Sequence, residues 1–173
     1  MLDWLGGATD FMLGTAFSAL SLVGLAPETD QPFVMDTMLA GLAEGCEMSP
    51  DLAVFREQLV ADGSYILPPG AAEHFVEAQI AVHDDYREIV VPVDGVWQGH
   101  RVDGLLILAG IDNGISAFSV VFDAEDIGVA DTFAPLAVSS NQRMADDPEN
   151  IVGASAAFGT FQGRTQYICD FSN

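Results

Sequence analysis

Apolar residues recur along this chain with two different periods, and the change falls near residue 83. Before it the spacing is helical. Leu2, Leu5, Met12, Ala16, Leu20 and Val23 recur at intervals of three, four or seven, which places them on one helical face. Gly14 and Ser18 form a small-xxx-small pair that permits close helix packing. Residues 28–32 read as a linker, and Phe33, Met38, Leu39 and Leu42 then give a helical stripe ending near Gly45. Ser49-Pro50-Asp51 supplies a capping hydroxyl, a first-turn proline and an acid facing the helix dipole. The helix opened there carries Leu52, Phe55, Leu59 and Val60 and stops at Asp62-Gly63. After the Pro68-Pro69-Gly70 break, residues 71–82 are predicted to form a fourth helix, with Phe75, Ala78 and Ile80 apolar.

Beyond residue 83 the pattern suits strands. Residues 88–97 are rich in Val and Ile, with Pro92 pointing to an edge or a bulge. A turn at 98–100, a strand over 102–109, the hairpin dipeptide Asn113-Gly114 and a strand over 115–122 complete an antiparallel meander. Asp123 is placed to cap a short helix over 124–133, with Pro135 beyond it, and the polar stretch 139–150 reads as a mobile loop. Residues 151–161 and 164–171, joined at Gln162-Gly163, form a terminal hairpin. Helices first and strands afterwards argue for an α+β fold: N-terminal helices on one face of an antiparallel sheet of about five strands. The chain divides into an apolar N-terminal helix, residues 1–27, and one α+β domain, residues 28–173.

Composition restricts the partners. The chain has 26 acidic and 5 basic residues, all arginine, for a formal net charge of −21. Such a field repels phosphate backbones and anionic membrane surfaces, so direct nucleic-acid binding is excluded. The acidity itself reads first as solubility in a salt-adapted or lysine-avoiding host, with an acidic face for a basic protein partner and cation-binding carboxylates as the alternatives. With half of the 173 residues hydrophobic and 11 Phe among them, there is material for a core despite the charge.

The N-terminal segment leaves the compartment open between cell envelope (periplasm) and cytoplasm. Residues 11–27 are uncharged and have the length of a signal-peptide core with its cleavage region, but Asp3 and Asp10 stand where a basic n-region belongs. The alternative is a retained helix that packs in the core or joins copies into a homo-oligomer. Cys46 and Cys169 are the only cysteines and match no zinc or CxxC spacing. A disulfide between them would close a very long loop and contribute on the order of 4–5 kcal/mol.

Titratable residues form no recognisable catalytic motif. On the expected fourth helix, His74 and Glu77 are three apart and share a face, where they could hold a metal or move a proton, or simply be solvated. His83-Asp84-Asp85 suits a helix end and turn. His100 lies in a predicted hairpin beside Arg101, and Trp97 ends a strand, at a binding rim or at a core edge. No serine elbow, EF-hand loop or phosphate-cradling glycine loop is present, so no cofactor is expected. Three functions compete: a non-catalytic binding or accessory protein acting through protein contacts; a small hydrolase in which the fold gathers His74 or His100 with carboxylates; and an inhibitor or immunity-type protein that neutralises a basic partner.

Overall fold

A computed structural model describes residues 31–150 and 153–173. The expected first helix and any oligomer made through it lie outside the described residues. The chain runs β1 (Phe33–Val34), α1 (Asp36–Leu39), a 3₁₀ turn (Ala40–Glu44), α2 (Pro50–Asp62), β2 (Gln79–Val82), β3 (Tyr86–Trp97), β4 (His100–Gly110), β5 (Ser116–Phe122), α3 (Val129–Asp146), β6 (Ser155–Phe161) and β7 (Arg164–Asp170). This is α+β, with a larger sheet than the five strands expected. Seven strands form one open sheet, ordered β1-β3-β4-β5-β7-β6, with β2 also pairing β3. Every described pairing is antiparallel except β1 with β3.

Local chemistry places α2 where the sequence expects it. Ser49 Oγ accepts from the Leu52 N–H at 3.2 Å, Pro50 occupies the first turn, and the left-handed Gly63 closes the helix onto the Leu59 carbonyl. The tight β-turns use Gln-Gly pairs. Gln98-Gly99 and Gln162-Gly163 both have positive φ at both positions, the conformation whose twist matches the flanking strands. Asn113-Gly114 instead lies in a longer β4–β5 connection, where Asn113 donates to the Asp85 carbonyl.

Three expectations fail. Residues 71–82 are not a helix. Their backbone groups go to the edge of β3: Val76 N–H donates to the Pro92 carbonyl, Asp94 N–H donates to the His74 carbonyl, Phe75 bridges Val93, and Gln79–Val82 pairs with Val90 to Arg87. An unpaired strand edge outcompetes a short helix whose propensity is modest. Phe33, expected to open a helix, begins β1 on the same edge. Residues 139–146 continue α3 rather than forming a loop, because Val129, Phe133, Ala137, Ser140 and Met144 make a buried stripe at helical spacing. Pro135 sits inside that helix, exposed, where packing of the stripe offsets its lost hydrogen bond.

One sheet face carries the core. Ile89, Val91, Val93, Leu105, Ile107, Phe118 and Val120 meet Leu39, Leu42, Leu52, Phe55 and Leu59 from the helices. An aromatic cluster of Trp97, Phe122, Phe133 and Tyr167 extends it under α3. Beside it, the Cys46 and Cys169 sulfurs lie at bonding distance, 2.09 Å, and tie the segment after the 3₁₀ turn to β7. Tyr167 OH donates to the Leu42 carbonyl and Ser140 Oγ to the Ala43 carbonyl, fixing the same turn from two more elements.

Candidate functional site

The β3–β4 turn brings His100 against the start of α3. Its Nδ1 lies 3.1 Å from both Asp126 carboxylate oxygens, and its Nε2 lies 2.8 Å from Thr132 Oγ1. A carboxylate only accepts, so Nδ1 carries the proton toward Asp126, and in the neutral ring Nε2 accepts from the Thr132 hydroxyl. Burial alone would raise the Asp126 carboxyl. Hydrogen bonds from His100 and from the Arg101 and Gly128 N–H groups outweigh it and hold the group below the usual carboxylate range. Hydroxyl, imidazole and carboxylate stand in the order that a general-base relay uses. The same bonds also anchor the first turn of α3 to the β3–β4 hairpin, with His100 edge-on to Phe133.

The other residues singled out in the sequence do not join this group. His74 lies beside Phe33 in the irregular segment before β2, and Glu77 is exposed nearby, so the shared helical face expected for them does not exist. Trp97 has 0% of its surface exposed and presents no rim to a ligand. Among the described residues no cluster of three or more His, Cys, Asp or Glu could hold a metal ion, and no helix is long and apolar enough to cross a membrane.

Sequence reasoning missed the polar residues of the second sheet face. Asp94 is buried and takes the Arg101 guanidinium at 2.6 Å. Asp103, at the β4 irregularity, is raised to about 6 by burial and by the negative charges of Asp123 and Asp94, against the opposing pull of Arg101. Buried Glu88 lies 3.5 Å from His83 Nε2 and 3.8 Å from Arg164, which reaches it from β7, three strands away in the sheet. The signal for Glu88 was its even spacing with Val90 and Pro92, which places the three on one face of β3; Asp94 lies in the bulge that follows.

The two sheet edges differ. On β6, the Asn141 side chain donates to the Ala156 carbonyl at 2.8 Å and accepts from the Ala156 N–H at 2.7 Å, closing that edge where α3 crosses it. On β2, the His83 N–H donates to the Tyr86 carbonyl, which makes 83/86, 81/88 and 79/90 the hydrogen-bonded pairs with β3. The backbone groups of Ile80 and Val82 therefore point away from the sheet. Among the described residues nothing bonds to them. Their side chains are 44% and 71% exposed, and Ile66, three residues beyond the end of α2 at Gly63, is 71% exposed.

Comparison with protein families, with curated proteins and with solved structures finds no match to this chain.

Proposed function

We propose that the chain is a non-catalytic binding or accessory protein that acts through contacts with another protein, made at the outer edge of β2. The observation that carries this reading is the open edge itself. Ile80 and Val82 offer backbone donors and acceptors to which no described residue bonds, together with exposed apolar side chains, the combination that strand-addition partners use. The disulfide fits a life in an oxidising compartment such as the cell envelope. A photo-crosslinking residue at position 82, expressed in the native host, is expected to give a discrete protein adduct; the same residue at exposed position 138 on α3 serves as the control. No adduct at 82, or equal adducts at both positions, removes the reading.

A second reading, a hydrolase, draws on the Thr132–His100–Asp126 relay. It expects a fluorophosphonate to modify Thr132 in the wild type and not in His100→Ala. Absence of label at Thr132, with the fold intact by circular dichroism, leaves the relay as a structural anchor of α3.

A further inference from the structure

Resting on the protein-contact reading, we infer that the occupant of the β2 edge is an extended cationic segment of another protein, which adds to the sheet as a further strand. Three observations combine. First, the register leaves the N–H and C=O groups of Ile80 and Val82 directed outward, so a strand laid alongside can form the alternating bonds of a ladder. Second, Ile80 and Val82 project to the same sheet face, and Ile80 packs so close to Gly63 that a methyl group there would come within 2.8 Å of its Cδ1. The edge is therefore backed by the end of α2, which gives an added strand an apolar surface to rest on.

Third, the charges flanking the edge select the partner. Glu77 precedes β2, Asp84 and Asp85 follow it in the turn, and Asp62 ends α2; all four are exposed. Arg87, opposite Val82 on β3, is the cation closest in register. A second copy of this chain is a poor occupant. Antiparallel pairing of two β2 strands would bring Asp84 and Asp85 of one toward Glu77 of the other, within a total charge of −21 on each. An acidic strand meets the same repulsion and a neutral one gains no attraction, whereas Lys or Arg residues flanking an apolar pair would complement the rim.

The test uses the full-length oxidised protein and three acetylated, amidated decapeptides of alternating Val and charged residues. One carries Lys, one carries Glu in the same places, and one is the Lys peptide N-methylated on alternate backbone nitrogens. Binding is read by amide exchange with residue resolution and by fluorescence anisotropy. We expect the Lys peptide alone to bind, its affinity to fall at least tenfold between 50 and 300 mM salt, and the Ile80 and Val82 amides to slow. Val82→Asp, a change at an exposed position, is expected to weaken binding at least fivefold while leaving the unfolding midpoint within error.

Equal binding of the Glu or N-methylated peptide, protection elsewhere than at Ile80 and Val82, or self-association blocked by Val82→Asp overturns the inference. If the Lys peptide fails to bind while crosslinking at position 82 still yields an adduct, the cationic strand is wrong and the contact reading stands. If both fail, both fall.

Discussion

Asn141 pairs with Ala156 as a neighbouring strand would: its amide donates to the Ala156 carbonyl and accepts from the Ala156 N–H. One side chain on α3 thus closes β6 at the position where its buried backbone faces away from β7. Natural sheets blunt their edges by such means. Asn141→Ala removes both bonds and leaves two backbone groups unsatisfied. The expected loss is about 1–3 kcal/mol, seen as a lower urea midpoint at unchanged slope. An unchanged midpoint would show that water replaces the side chain without cost.

The disulfide spans 123 residues of sequence, so its removal releases a long loop in the unfolded chain. Replacing both Cys46 and Cys169 with Ser is expected to cost up to about 4–5 kcal/mol. Denaturant unfolding of the variant, set against oxidised and reduced wild type, measures this. Reduced wild type and the double variant are expected to coincide.

Asp103 makes stability depend on pH in a direction opposite to an ion-paired carboxylate. Its folded-state pKa of about 6 lies above the unfolded value of about 3.9, so between these the folded state holds more protons. The group's contribution therefore falls as pH rises from about 4 through about 6, and it is destabilising at neutral pH. Asp103→Asn is expected to stabilise at pH 8 by on the order of 1–2 kcal/mol, discounted for the partial exposure of the site. The gain should shrink toward zero below pH 4. Thermal melts across that range test it, and a gain independent of pH would assign the effect to something other than titration.

Gly95 pairs with Phe33 across β1 and β3, and a methyl group on it would stand 2.5 Å from Met35 Sδ. Gly95→Ala is expected to destabilise by about 1–3 kcal/mol through overpacking. Adding Met35→Ala should recover part of that loss relative to the sum of the two single changes. Strict additivity would place the strain in the backbone instead.

The sequence was readable where structure is decided locally. Ser49, Pro50 and Gly63 start and stop α2 by hydrogen bonds within a few residues, and the strands β3, β4 and β5 announce themselves by continuous Val, Ile, Leu and Phe. The acidic balance belongs to the sequence in the same way, because net charge is a sum and needs no fold. The segment before β2 was misread because its apolar spacing suits a helix, while its hydrogen-bond partners lie on β3, up to 20 residues further on in the case of the His74–Asp94 bond. The end of α3 was misread because Ser139 to Gln142 look like a loop until Ser140 is found buried against Tyr167.

The sites followed the same division. Composition and turn chemistry gave the sequence its charge, its helix cap and its meander, since each depends on neighbours in the chain. Only the tertiary structure could bring His100 to Asp126 and Thr132, join Cys46 to Cys169, bury Trp97, and leave Ile80 and Val82 on an open edge beside four carboxylates. Each of those arrangements depends on which strand lies next to which, and that order is fixed by packing across the whole sheet.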